Sequence, residues 1–280
     1  MALARDVVMA LLVLALLAAL WCTWLVSQPW RQAWRRTRLR QRAFPAAWRA
    51  ILRRRVPQLA QLPVPLQLRL KQRMQVLLAE KQFIGCAGQV ISDEVRVTIA
   101  ALACLPLLGR HRGYYPKLHS VLVYPGPFVV DRLRQDGPLQ MRQRQVLSGE
   151  SWSEGQVVLS WDDVLRDAAQ PQLGHNVVVH EFAHQLDQDK GLANGAPLLG
   201  GAARQARWAR VMQHSFDTLR QRLARGEPDP LGDYAASEPA EFFAVASERF
   251  FGQPQALAQA HGALYAELRR FYEVDPLAWA

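Results

Sequence analysis

Residues 176–189 read Asn-Val-Val-Val-His-Glu-Phe-Ala-His-Gln-Leu-Asp-Gln-Asp, and the architecture of the chain turns on that stretch. Val177, Val178, Phe182 and Leu186 recur at helical spacing, Asn176 is placed to cap the first turn, and Gly191 ends the segment. The stretch therefore predicts a helix. On it, His180 and His184 stand one turn above each other and can present both imidazoles to one ion. Glu181 is placed to take a proton from water activated by that ion. With seven His and eleven Glu in the chain, a His-Glu-x-x-His pattern would arise by chance roughly 0.007 times. A coincidental match on a surface helix is the poorer explanation.

A catalytic zinc takes three protein ligands and keeps one position open. No His-x-x-Gly-x-x-His continuation follows His184, which excludes the metzincin layout and directs the search to a downstream carboxylate. Ser237-Glu238-Pro239-Ala240-Glu241-Phe242-Phe243 opens a later helix and offers Glu238, Glu241 and Glu248. Glu241 is surrounded by apolar positions, where a carboxylate needs a partner. Glu238 is accounted for as a first-turn charge. Glu248, two turns on, fits a residue that orients a ligand or one that pairs with a cation. Position alone leaves the choice open. Tyr234, in the loop before this helix, could donate to the oxyanion of a tetrahedral intermediate, or simply pack. Asp187 could orient a ligand imidazole or stand as a solvated helix-end charge. His111, His119, His175, His214 and His261 have no ligand spacing and read as ordinary.

Around this centre the chain reads as α+β. Helices are expected over Leu66–Ala79, from Ser92 to Pro106, and then from Asn176 to Asp189, Arg204 to Leu223, Pro239 to Phe251 and Gln255 to Phe271. The middle reads as strands: His119–Tyr124, Phe128–Val130 and Val157–Trp161, the last an edge along which an extended substrate would lie. They predict a small mixed or antiparallel sheet.

Half the residues are hydrophobic and 21% charged, the composition of a globular protein. Three cysteines, without paired close spacing, make neither a disulfide framework nor a Cys-type zinc site. From Val7 to Val26 no residue is charged, and a helix of that length matches the hydrocarbon core of a bilayer, about 30 Å. Trp21, Trp24, Trp30 and Trp34 gather near its C-terminal end, where rings favour the interface. The bulky end of the run is unlike a signal-peptide cleavage site, so residues 1–28 read as a retained transmembrane anchor. Thirteen Lys and Arg fall between Arg31 and Arg73 with no Asp or Glu among them, which accounts for much of the net charge of +10. Residues 29–65 thus read as a basic juxtamembrane arm against anionic lipid, and residues 66–280 as the catalytic domain. The positive-inside rule puts that domain in the cytoplasm, on a single-pass protein of a bacterial inner membrane. Nucleic acid is the weaker partner for the arm, since no helix-turn-helix or zinc-finger pattern accompanies it.

The chain resembles a known family. His180–Asp187, the Asp233-Tyr234-Ala235-Ala236 turn and the helix start Pro239–Val245 are similar to the Mlc titration factor A family of zinc peptidases. Further similar stretches are Ser92–Leu105, Tyr124–Val130 and Val146–Val164, so the resemblance covers most of residues 80–252. It implies a gluzincin-like, zincin-type domain that binds one Zn2+ through His180, His184 and Glu241, with Glu181 as general base and Tyr234 as an active-site phenol. It leans towards aminopeptidase-type hydrolysis of a peptide or protein substrate. Members of the family bind a glucose-responsive transcriptional repressor, whereas this chain adds an anchor and a basic arm. The rival reading is a membrane-tethered binding protein that sequesters a transcriptional regulator around a non-catalytic zinc site. The intact Glu181 speaks against it, because a purely structural site needs no base.

Overall fold

The computed structural model describes residues 2–109, 113–136, 139–147, 149–152, 155–191 and 193–279, with only the backbone path for 2–5, 128–152 and 190. His111 lies outside what is described. The chain divides into two compact units, Met1–Ala43 and Phe44–Ala280.

The first unit is two helices, α1 (Ala2–Val26) and α2 (Gln28–Gln41). Within α1, the 21 residues Asp6–Val26 have a mean hydropathy of 2.5, so by length and composition the helix can cross a membrane. α2 buries no residue and is rich in Arg and Trp. Arg31 lies over the Trp24 ring and Arg38 over that of Trp34, at 4.8 and 3.5 Å from the ring centroids.

The second unit opens with α3 (Ala46–Arg55), α4 (Val64–Glu80), β1 (Gln82–Gly85) and α5 (Asp93–Ala103). The stretch read as a basic arm therefore contributes α3 to this unit. There Leu52 and Val56 are buried while Arg53 and Arg54 face solvent, and α3 packs on α5. Next come β2 (Ser120–Tyr124), β3 (Phe128–Asp136), β4 (Leu139–Leu147), β5 (Gly149–Trp152), β6 (Gln156–Ser160) and α6 (Trp161–Ala169). The chain ends in α7 (Val177–Asp187), α8 (Ala202–Ala224), α9 (Pro239–Gly252), α10 (Pro254–Ala260) and α11 (Gly262–Tyr272).

The sheet has the order β1-β2-β6-β5. Of the expected mixed or antiparallel sheet, the antiparallel alternative is corrected: β1, β2 and β6 run parallel, with Val121 opposite Val157 and Val123 opposite Leu159. Only β5 pairs antiparallel, and β3 and β4 form a separate antiparallel ribbon. Strand β6 is also not an edge. It lies between β2 and β5 and buries Val157, Val158 and Leu159, as a strand covered on both faces does. It ends one residue earlier than expected, because the Ser160 side chain accepts from Asp163 N–H and starts α6 at Trp161. The expected helix over Gln255–Phe271 is two, broken at His261.

Helix α7 runs through the middle of this unit, against β5, β6, α5 and α9. Every residue from Val178 to Asp187 is buried. Val178, Val179, Phe182 and Leu186 supply the apolar part, each worth about 1.5–3 kcal/mol on full burial. The Phe182 ring meets Tyr115 edge-on at 4.8 Å. The same helix buries His180, Glu181, His184, Gln185 and Asp187. Buried polar groups without partners are costly, so what surrounds these five is set by necessity.

Candidate metal centre

The N-terminus of α7 is held by carboxylates from two other helices. Asn176 Oδ1 accepts from Val179 N–H at 3.0 Å, as expected of an N-cap. Asn176 N–H donates to Glu248 Oε2 on α9 at 2.7 Å, and Val177 N–H to Asp167 Oδ2 on α6 at 2.9 Å. These acceptors satisfy orphan first-turn donors and set negative charge at the positive end of the helix. Burial pushes the Asp167 carboxyl up, partly offset by that Val177 N–H. Nothing in the sequence of α6 singles Asp167 out from its acidic neighbours.

The far end is pinned as well. Asp187 Oδ2 accepts from Asn194 and Gly195 N–H at 2.7 and 2.6 Å, and so holds the loop after α7. Its other oxygen, Oδ1, and His184 Nδ1 are both buried without a hydrogen-bond partner among the described residues. Asp187 is thus a loop anchor; burial pushes its carboxyl up, and the Gly195 and Asn194 N–H groups and the nearby His184 act against that. Gly195 has a φ of +75°, and a Cβ there would lie 2.5 Å from the Pro239 carbonyl oxygen at the start of α9. Only glycine lets the loop approach so closely. Its own carbonyl accepts from Trp208 Nε1 at 2.7 Å, tying α8 into the same corner.

This frame brings together the two histidines and one of the three candidate glutamates. His180 Nε2 is 3.2 Å from His184 Nε2 and 3.0 Å from Glu241 Oε2, and His184 Nε2 is 3.6 Å from Glu241 Oε1. One donor atom from each residue lies within 4.8 Å of the other two. Glu238 takes no part: it is exposed at the start of α9. Glu248 stands behind His180, with Oε1 at 2.8 Å from Nδ1. In the neutral ring that contact selects the tautomer, with Nδ1–H donating to the carboxylate and the Nε2 lone pair left on the side of Glu241 and His184.

Three electron-pair donors so close repel one another unless a proton or cation lies between them. Tetrahedral bonds of about 2.0–2.1 Å put neighbouring ligand atoms about 3.3 Å apart. The two imidazole nitrogens, 3.2 Å apart, stand near that value, and Glu241 sets one carboxylate oxygen 3.0 Å from His180 Nε2 and the other 3.6 Å from His184 Nε2, so the carboxylate can complete the set around a small divalent ion. The electrostatics agree. Burial opposes the charged form of His180, but Glu241, Glu248 and Glu181 outweigh it and hold its pKa well above the ordinary value. Burial likewise opposes the Glu241 carboxylate, and the two histidines overcome it and hold its pKa far below normal. Glu181 is different. Burial, with Glu241 and Glu248 adding to it against the two histidines, pushes its pKa up to about 7. Tyr234 stands on a short 3-10 turn, Asp233–Ala236, with its ring 6.0 Å from the His180 ring and largely exposed.

Two imidazoles one turn apart on a buried helix, a carboxylate from a second helix and a glutamate between the imidazoles make the donor set of a metallopeptidase-like protein. The chain belongs to the glucose-regulated metallo-peptidase M90 family, whose model matches residues 30–273. An uncharacterised protein of Synechocystis sp. is 42% identical over 246 residues, covering 87% of this chain and 90% of the relative. The Mlc titration factor A proteins of Yersinia pestis and Yersinia pseudotuberculosis are 37% identical over 238 residues, covering 83% of this chain and 86% of each relative. The family resemblance read from the sequence is borne out.

Proposed function

We propose that the protein is a zinc-dependent peptidase of zincin-like architecture, tethered to a bacterial inner membrane with its catalytic domain in the cytoplasm. The observation that carries the peptidase reading is the convergence of His180, His184 and Glu241 beside a buried Glu181. His180, His184 and Glu241 would hold the ion, and zinc is the metal that two imidazoles and one carboxylate suit. When bound, it supplies Lewis acidity for the attack of water on a carbonyl.

The chain's own residues do the rest. Glu181 accepts a proton as water attacks the peptide carbonyl, and returns it to the leaving amine when the C–N bond breaks. Burial pushes the Glu181 pKa up to about 7 in the metal-free protein, and a bound cation would lower it towards the carboxylate that a base needs. Tyr234, on the solvent side of His180, would donate to the oxyanion. Glu248 keeps His180 in the ligating tautomer. Strand β5 is one of the two edges of the sheet; among the described residues it pairs with β6 alone, and it packs beside α7, so an extended substrate would lie along it. The family resemblance favours trimming from a peptide N-terminus.

The anchor is the apolar Asp6–Val26 segment, and the arginines of α2 favour the cytoplasmic side. A second reading has one observation in its favour. The Yersinia relatives are named for titrating Mlc, so this protein would sequester a transcriptional regulator. A membrane tether would hold such a partner away from DNA.

The test is metal content and peptide hydrolysis of the full-length protein. About one zinc per chain and turnover on short peptides are expected, with both lost in His184→Ala and Glu241→Gln. A protein that takes up no added zinc contradicts the proposal. Zinc uptake without turnover on a broad peptide panel favours the sequestering reading.

A further inference from the structure

Between α3, α4 and the short turn that joins them lies a cavity of about 250 Å³. Its walls include Leu52, Val56, Leu59 and Leu70. Three cations, Arg49, Arg53 and Lys71, stand among its lining residues, and among the described residues no acidic one does. The spacing explains why. On α3, Arg49, Leu52, Arg53 and Val56 recur at i, i+3, i+4 and i+7, so one face carries apolar and cationic residues together. On α4, Val64, Leu68 and Lys71 share a face in the same way, and Val64 and Leu68 are 77% and 58% exposed. Arg49 donates to the Phe44 carbonyl at 2.8 Å. Neither Arg53 nor Lys71 has a carboxylate partner among the described residues, whereas the neighbouring Arg54 and Arg55 both pair with Glu94.

Three cations that converge without a counter-charge, over an apolar floor and beside exposed Val64 and Leu68, make a surface with two chemistries. The cations call for an anion, and the walls call for hydrocarbon. We propose that this cavity binds one anionic phospholipid, with the headgroup phosphate against Arg49, Arg53 and Lys71 and the first part of an acyl chain against Leu52, Val56, Leu59 and Leu70. The lipid is favoured over nucleic acid because, among the described residues, no aromatic one lines the cavity for a base to stack on. It is favoured over an inorganic anion because half the lining would then be left exposed to water. The source of the lipid is close by in the chain, since Arg49 follows the end of the apolar span by 23 residues. The inference rests on the membrane reading above and extends it, from general attraction along an arginine-rich arm to one defined lipid site.

The experiment uses the full-length chain in detergent, with bound lipid counted by native mass spectrometry during titration with phosphatidylglycerol or phosphatidylcholine. One phosphatidylglycerol should be retained and phosphatidylcholine should not. The double variant Arg53→Gln/Lys71→Gln should bind it about thirtyfold more weakly, the size expected for two cations at an anionic lipid surface. The arm variant Arg35→Gln/Arg36→Gln should bind it within a factor of two of the parent. Equal binding by parent and cavity variant overturns the site, and so does a loss confined to the arm variant. Displacement of the lipid by an RNA oligonucleotide, or equal competition by inorganic phosphate, overturns the choice of ligand. Arg53 is exposed and Lys71 half-buried, and an unchanged thermal midpoint checks the variant's fold; if it falls, Arg53→Gln alone is used, with a loss of about fivefold expected. Alkaline carbonate extraction, run in parallel, separates the two levels. Release of the chain with lipid binding intact removes the anchor and leaves the site. Resistance to extraction with no lipid retained removes the site alone.

Discussion

Helices α7 and α2 are both rich in polar residues, and they spend them in opposite ways. α7 buries every position from Val178 to Asp187, polar ones included, while α2 buries none. A buried carboxylate or imidazole raises the free energy unless something compensates, so each polar residue of α7 implies a partner. Those partners are Glu241, Glu248 and the loop at Gly195, together with an ion that His180, His184 and Glu241 are shaped to hold. An exposed arginine costs nothing, and α2 can take its charge from any anionic surface that comes near. Buried polarity thus specifies a chemistry, and exposed polarity specifies only a sign of charge.

The comparison is sharpened first by Glu248. It touches no substrate, yet it fixes the His180 tautomer and takes the Asn176 N–H. Glu248→Ala is expected to weaken zinc binding about 10–100-fold, the range typical for a carboxylate behind a metal-ligating histidine. Competition with a chelator of known affinity measures it. Glu248→Gln, which keeps an acceptor, should lose less. If Glu248→Ala binds zinc like the parent, the buried contact is only packing.

A smaller effect follows from protons. In the metal-free protein burial acts to lower the His180 pKa, but Glu241, Glu248 and Glu181 outweigh it and hold the pKa well above its ordinary value. Metal binding needs His180 neutral, so uptake near pH 7 must release its proton. Zinc affinity should therefore rise with pH, about tenfold per unit, until the pH passes the His180 pKa in the metal-free protein. Calorimetry in two buffers of different ionisation enthalpy should show about one proton released per ion. Affinity that is flat between pH 6 and 8 breaks the electrostatic part of the account.

Much of this was legible in the chain, and the reasons it stopped where it did are physical. α7 could be read because cap, apolar stripe and motif coincide within fourteen residues. Glu241 could not be chosen by position, since Glu238 and Glu248 lie on the same helix. The family resemblance favoured Glu241, and the structure places it against both histidines. The sequence left the sheet as mixed or antiparallel and did not show its parallel centre, because strand pairing depends on contacts far apart in sequence, and short apolar runs look alike in either direction. The same runs do not say which strand is central, so β6 was taken for the edge that β5 forms. The contribution of α3 to the compact unit was hidden by its arginines: a composition of like charges reads as an arm, while Leu52 and Val56 fold it onto the core.

The smallest expected effects test the exposed side of the comparison. Asn176→Ala removes the side-chain cap of α7 and should cost about 1 kcal/mol in chemical denaturation. Arg35→Gln in α2 should change stability by less than about 0.5 kcal/mol, because it is exposed on a helix that buries nothing. Equal losses from the two would erase the distinction.

The central claim is that buried Glu181 is a base rather than a ligand or a packing residue. Glu181→Gln is nearly isosteric and leaves His180, His184 and Glu241 in place, but the amide cannot accept the proton from water. Zinc stoichiometry and peptide turnover, measured side by side with the parent, test the claim most directly. The account expects unchanged zinc and a rate lower by about 10²–10⁴, the usual contribution of general-base catalysis. Unchanged zinc with unchanged turnover would contradict it.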